Sequence, residues 1–316
     1  MLKHLLLAAV VVAAAPQTVA KPAADATDTG PAPALVDAAW LKAHLDEVVV
    51  VDLQEPKAFQ RFHAPGAASL PYDKWRTNAP KDNKDPALLE SMLPDIAELE
   101  AMLGEAGIGN DDHVVITATG RGAGDMAAAA RVFWTFKVLG HDAVSVLDGG
   151  LVAYADAGGR LARGPSQRPA ASFTAEPRLE LVPDAEAVAA ARAEGVQLVD
   201  ARSEGEYVGI YTGDRDERPG TIPGAKHLPY DWVAADGGAR LRSAGALTQL
   251  FEARGIDPGK AQVHFCHSGN RAALSWFAAY AVLGNEEARL YDGSMMEWAQ
   301  TADRPVAAEI ELCEAC

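Results

Sequence analysis

The chain has 316 residues, of which 49% are hydrophobic, and it carries a formal net charge of −16. That length suits about two domains with real cores, and the composition fits neither a disordered nor a fibrous protein. The acidic residues are spread along the chain and form no single tail. This argues against nucleic-acid and anionic-membrane partners, and leaves any anionic substrate dependent on a locally positive pocket.

The first twenty residues read as an export signal. Lys3 and His4 precede an apolar run from Leu5 to Ala15, and the small residues Thr18 and Ala20 suit cleavage after Ala20. The run is too short to span a bilayer, which takes about 20 apolar residues. The mature chain is therefore expected to be periplasmic or secreted, with no membrane association after cleavage. Residues 21–34 are rich in Pro and Ala and read as a flexible leader.

Two segments of similar length follow, 35–160 and 179–307, separated by a linker over 161–178 that contains GPSQRPAASFTAEP. They repeat one another in order. Val48–Asp52 matches Val196–Asp200, and His63-Ala-Pro-Gly-Ala67 matches Thr221-Ile-Pro-Gly-Ala225. Each is followed by Leu-Pro-Tyr-Asp, at 70–73 and 228–231. His113–Thr117 matches Gln262–Cys266, and Leu147-Asp-Gly149 matches Tyr291-Asp-Gly293. The apolar runs at 48–51, 114–116, 144–147, 198–199, 263–265 and 289–291 predict buried parallel strands. Amphipathic stretches between them, over 127–139 and 271–283, predict covering helices. The fold class is α/β: in each half a parallel sheet flanked by helices, with ligands expected outside the carboxyl ends of the strands.

Chemistry concentrates at Cys266. Only three cysteines are present, Cys266, Cys313 and Cys316, too few and too unevenly placed for a disulfide framework. Cys266 falls at the end of a strand, before His267-Ser-Gly-Asn-Arg271 and a helix. Converging loop amides, the helix N-terminus and Arg271 would favour thiolate over thiol, and Gly269 permits the tight turn. The competing reading is a buried structural cysteine.

The loop Cys266–Arg271 resembles the six-residue active-site loop of rhodaneses. Val199-Asp-Ala-Arg202, Ile222-Pro-Gly-Ala225 and Val144–Gly150 resemble other segments of that family, and the likeness covers about residues 35–305. It implies tandem rhodanese domains: a non-catalytic first one, with Thr117 where the second has Cys266, and a catalytic second one. It also implies sulfur transfer through a Cys266 persulfide, from a small donor such as thiosulfate or 3-mercaptopyruvate to a thiol or cyanide, without a cofactor or metal. His267, Ser268, Gly269, Asn270 and Arg271 would form the substrate loop, with Arg202 and Asp200 beside it. Arg202 has a second reading, a structural pair with Asp200 or Glu204. The sequence departs from the family pattern: His267 and Ser268 replace the cationic pair usual in the thiosulfate enzymes, only Ser268-Gly269 matches the Gly-Ser-Gly-Val run usual in the mercaptopyruvate enzymes, Thr221 replaces a usual histidine, and Glu206 stands where an arginine is common. His264 and His227 are expected to be core histidines.

Two other functions compete. A phosphatase or arsenate reductase on this fold needs five residues between cysteine and arginine, and here there are four. A sulfur carrier that turns over poorly by itself would present the same loop. The tail 308–316 holds Cys313 and Cys316 as a Cys-x-x-Cys pair. It reads either as a surface disulfide or as a redox pair that attacks the persulfide and is reset by a thiol reductase.

Overall fold

The computed structural model of the protein describes residues 33–80, 88–213 and 218–310. The export signal, most of the leader, and Cys313 and Cys316 lie outside the described residues. Those described belong to one compact unit that begins at Ala32.

The first half contains strands β1 (Leu35–Val36), β2 (Val49–Asp52), β3 (Ala68–Ser69), β4 (Thr77–Pro80), β5 (Leu88–Met92), β6 (Val114–Thr117) and β7 (Val144–Leu147). Its helices are α1 (Ala38–His44), α2 (Pro56–Phe59), α3 (Ile96–Glu105), α4 (Ala123–Val138) and α5 (Gly150–Asp156). The second half contains α6 (Ala185–Ala193), β8 (Gln197–Asp200), α7 (Glu204–Val208), β9 (Lys226–His227), α8 (Ala244–Ala253), β10 (Gln262–Phe265), α9 (Ala272–Phe277), β11 (Ala288–Leu290) and α10 (Ser294–Trp298).

Two sheets result, ordered β1-β7-β6-β2-β3 and β11-β10-β8-β9, and every pairing within them is parallel. All four residues of β2, β6, β7 and β10 are buried, because helices cover both faces; this explains their mostly apolar sequences, in which Ser145, Gln262 and His264 are the polar exceptions before the strand ends. The short edge strands β1, β3 and β9 left no periodic signal in the sequence. Neither did the antiparallel hairpin β4–β5, which belongs to neither sheet.

The helices that cover the sheets explain how the halves meet. α4 was expected to be amphipathic, but it is buried around most of its circumference, from Met126 through Phe136. The reason is α9. Phe133 of α4 meets Phe277 of α9 edge-on, with ring centroids 4.9 Å apart, and Trp276 lies beside them. Both helices therefore sit in one hydrophobic cluster drawn from the two sheets, while each sheet has its own smaller cluster on the opposite face. The segment 161–178 is laid along the first half. Ala171 N–H donates to the Gly104 carbonyl (2.9 Å), Thr174 N–H to Asn110 (2.9 Å) and Glu176 N–H to the Leu139 carbonyl (3.0 Å), and Phe173 is buried.

The duplication has diverged at one buried acid. Asp200 ends β8 and is paired with Arg202, whereas its counterpart Asp52 ends β2 and has Gln54 at the matching place. Gln54 donates to Asp52 through its backbone N–H (2.9 Å) and its amide (3.0 Å), in place of the arginine. Burial pushes the Asp52 carboxyl up to about 6, against the hydrogen bonds from Gln54 and the charge of His63. A raised carboxyl keeps its proton longer in the folded state, so stability falls as pH rises from about 4 to about 6 and the penalty is complete above that. Asp52→Asn should therefore gain stability relative to the parent across that window. The gain should be as much as about 3 kcal/mol, read from chemical unfolding at pH 4 and pH 7.

Candidate active site

Cys266 directly follows β10, and the loop 266–271 carries the chain into α9. The thiol is buried, with only 1% of the residue exposed, and it is free. Ser294, the first residue of α10, fixes the loop from behind. Its Oγ accepts the N–H groups of Cys266 (3.1 Å) and Gly269 (3.0 Å) and donates to the Tyr291 carbonyl (2.8 Å). The loop carbonyls are tied to the same helix: Met295 N–H donates to Cys266 (3.0 Å) and Met296 N–H to His267 (2.9 Å). Ser294 holds this position at φ 50°, in the left-handed region that a non-glycine residue seldom occupies.

Two of the amides expected to face the sulfur are thus taken by Ser294. Among the described residues, the N–H groups of Ser268, Asn270 and Arg271 donate to no protein acceptor. They are the amides left in the loop for a species bonded to the sulfur. Asn270 reaches in two directions: its amide donates to Ser268 Oγ (3.2 Å), and its Oδ1 accepts the Tyr72 hydroxyl from the first half. The His267 ring packs against Gly213 so closely that a Cβ there would overlap it.

The cation at the end of the loop is shared. Arg271 makes a two-pronged pair with Glu206, Nη1 to Oε2 and Nη2 to Oε1, both 2.7 Å. Glu206 in turn accepts from Ser203 N–H (3.1 Å) and Oγ (2.7 Å), closing a capping box at the start of α7. Burial acts to raise the Glu206 carboxyl, but the Arg271 guanidinium and the Ser203 hydroxyl outweigh it and hold the group at about 2. Burial acts against the Arg271 charge as well, and the Glu206 carboxylate and the charge of Cys266 more than offset it. The acid that departs from the family pattern is therefore the group that orients the loop arginine.

Asp200 and Arg202 form a buried pair at the end of β8, in register with Phe265, the residue that precedes Cys266. Arg202 Nη2 donates to Asp200 (2.7 Å) and to the Gly220 carbonyl (2.7 Å), and Thr221 Oγ1 donates to the same carboxylate (2.7 Å). His227 Nε2 contacts the Arg202 carbonyl (2.9 Å) and its ring stacks on Tyr207. These contacts fasten the end of β8 to β9, which is the structural pairing that the sequence left open for Arg202. His264 is a core histidine: it is fully buried, bonded to Ser275 Oγ (3.0 Å) and Gln262 Oε1 (2.9 Å), and burial drives its ring down to about 3.

The matching place in the first half has no thiol. Thr117 is buried, and its hydroxyl donates to its neighbour's carbonyl. The amides of Gly120 and Arg121 donate to Asp125 Oδ2 (3.0 and 2.9 Å), so a carboxylate of α4 already occupies that loop. Arg121 is mostly exposed and lies 3.6 Å from the same acid. A cavity of about 610 Å3 opens in front, lined by Leu53, Gln54, Thr119 and the Tyr72 ring. No cluster of metal-binding side chains occurs among the described residues.

Sequence reasoning missed Ser294 and Tyr72, and also Arg131 of α4, which is completely buried beside Asp292. Tyr72 and Arg131 belong to the other half, and contacts between halves leave no local pattern. A single arginine within the apolar stretch Ala127–Phe136 is nonetheless a signal, because a charge buried on such a helix requires a partner.

The rhodanese-like domain family matches the chain twice, over residues 37–157 and 184–301. The chain is similar to putative thiosulfate sulfurtransferase 1 of Mycobacterium bovis, with 31% identity over 281 residues, covering 86% of this chain and 96% of that one. It is also similar to human 3-mercaptopyruvate sulfurtransferase, with 31% identity over 268 residues and 84% of each chain covered. Among solved structures it resembles the 3-mercaptopyruvate sulfurtransferase SseA of Escherichia coli. The TM-score is 0.70 at 27% identity, covering 83% of this chain and 99% of that one.

The double acceptor role of Ser294 gives a test of the loop. Ser294→Ala strands two buried N–H groups and should lower unfolding free energy by about 2–4 kcal/mol. Ser294→Gly relieves the backbone but leaves the same amides unpaired, so it should recover only part of that loss in the same denaturant titration.

Proposed function

The chain belongs to the rhodanese-like family and is a tandem-domain sulfurtransferase, and from that premise we propose that Cys266 is the residue that carries the sulfur. The observation that supports this is the buried thiol at the end of β10, in a loop where the amides of Ser268, Asn270 and Arg271 have no protein acceptor among the described residues and whose arginine is oriented by Glu206. The thiolate attacks the outer sulfur of thiosulfate. A sulfur–sulfur bond forms at Cys266 as the one within the donor breaks, and sulfite leaves with the electron pair. With 3-mercaptopyruvate the carbon–sulfur bond breaks instead, and pyruvate leaves after protonation. Cyanide or a thiolate then attacks the terminal sulfur and releases the Cys266 thiolate, so the cycle consumes no net oxidant.

The loop suits this chemistry in size. With four residues between Cys266 and Arg271 it encloses a small species, and the half-buried Arg271 guanidinium sets a positive charge at the end of the loop for a terminal sulfur anion. We place the mature protein outside the cytoplasm on the strength of Lys3, His4 and the apolar run after them. There the Cys313–Cys316 pair would serve as a thiol acceptor reset by a reductase.

Cys266→Ser should abolish transfer of sulfur from thiosulfate to cyanide while the folded circular-dichroism spectrum is retained; transfer at the parental rate by that variant would remove Cys266 from the mechanism. Arg271→Lys should keep only part of the activity, because a point charge cannot make the two-pronged contact with Glu206. The steady-state kcat/KM for each donor, measured with both variants, checks this.

A further inference from the structure

The first domain contributes more than a wall. Arg131, on α4, is completely buried and reaches across to the second domain, where Nη2 lies 2.5 Å from Asp292 Oδ1. Its Nε and Nη1 have no hydrogen-bond partner among the described residues, although the guanidinium lies over the Trp134 ring at 4.3 Å. Asp292 stands just after β11, and its second oxygen, Oδ2, accepts Leu93 N–H (2.8 Å) from the first domain. This pair is packed directly on the thiol loop. A Cβ placed on Gly269 would lie 2.7 Å from Arg131 Nη1 and 2.8 Å from Asp292 Oδ1, so only glycine, here at φ 73°, fits between loop and pair. Next to Gly269, Asn270 takes the Tyr72 hydroxyl, again from the first domain.

The duplication supplies an internal control. Asp148 is the counterpart of Asp292 and likewise accepts an amide from the opposite domain, Leu241 N–H (2.9 Å). Its cation, however, is Arg240, 3.9 Å away and with 55% of its side chain exposed. The counterpart of Arg131 on α9 is Ser275, which is spent on His264 and the Ala272 carbonyl. A dry, close ion pair against the loop is thus built on one side of the pseudo-symmetric interface, the side with the thiol. A buried pair of this kind contributes little net stability against its desolvation cost, so its placement points to positioning.

We propose that Arg131 and Tyr72 of the first domain are positioning residues for the sulfur-transfer reaction: the Arg131–Asp292 pair and the Tyr72–Asn270 bond hold the Cys266 loop in its reactive shape. The inference rests on Cys266 being the sulfur carrier, and neither residue need touch substrate. It accounts for a first domain that lacks a thiol and still belongs to the active unit.

The experiment separates positioning from stability. Arg131→Met alone leaves Asp292 buried and unpaired, so it is compared with Arg131→Met/Asp292→Asn, which removes both charges and keeps an acceptor for Leu93 N–H. Tyr72→Phe removes one hydroxyl, and Arg131→Lys restores the charge without the fork. For each, thermal stability is measured beside the single-turnover rate of Cys266 persulfide formation at saturating thiosulfate and the rate of Cys266 alkylation by iodoacetamide. The double variant is expected to melt near the parent yet load sulfur about 10- to 100-fold more slowly. Tyr72→Phe should show a smaller slowing, and Arg131→Lys a partial rescue relative to Arg131→Met. Parental loading and alkylation by the double variant and by Tyr72→Phe would overturn the proposal. Loss of loading in proportion to lost stability across all variants would equally overturn it, by leaving Arg131 a purely structural role. If the parent itself forms no persulfide on Cys266, it is the underlying assignment of the sulfur carrier that fails.

Discussion

The contact between α4 and α9 is the constraint from which the site follows. α9 begins at Ala272, immediately after Arg271, so whatever fixes that helix fixes the end of the thiol loop. It is fixed by apolar packing against a helix of the other domain, with Phe133, Trp276 and Phe277 at the centre. Burying three such aromatic side chains contributes several kcal/mol on area alone, at roughly 1.5–3 kcal/mol each. Because that packing is non-directional, it sets the distance between the domains and leaves the fine geometry to polar contacts made upon it. The Tyr72–Asn270 bond is such a contact between the domains, and Ser294 and the Arg271–Glu206 pair tie the same loop to α10 and α7 within the second domain.

The two halves show how one fold can be kept for chemistry or for support. In the second, the strand-end loop has a thiol, a glycine that allows close approach of an ion pair, and three amides without a protein acceptor among the described residues. In the first, the thiol position is Thr117 and the amides of Gly120 and Arg121 are filled by Asp125. An internal carboxylate in that place meets the electrostatic need of the loop without a ligand. The buried strand-end acid diverged as well: Asp200 is paired with Arg202, whereas Asp52 has Gln54 at the matching place and burial raises its carboxyl.

Much of this was legible in the sequence for identifiable reasons. Buried parallel strands are short and mostly apolar, so β2, β6, β7 and the centre of β10 stood out, and the repeated motifs gave the two-domain organisation directly. The thiol loop was legible because a cysteine at a strand end, followed by glycine and arginine, is an unusual local combination. The role of Glu206 was not, since an acid in place of a common arginine looked like a lost contact until its pairing with Arg271 was visible. Arg131 and Asp292 were illegible for a different reason: they lie 161 positions apart (292 − 131) and meet only through the packing of the two domains. Contacts of that kind have no sequence period, although the lone arginine within the apolar stretch Ala127–Phe136 marked one end of this one.

The central claim is that a sulfur atom travels on Cys266. The most direct measurement is mass spectrometry of the intact mature protein and of its peptides after brief exposure to thiosulfate, removal of excess donor, and blocking of free thiols. The account predicts an added mass of one sulfur atom, confined to the peptide that contains Cys266 and lost on addition of cyanide. Absence of the adduct from that peptide in protein that turns over, or its stable location on another cysteine, would contradict it.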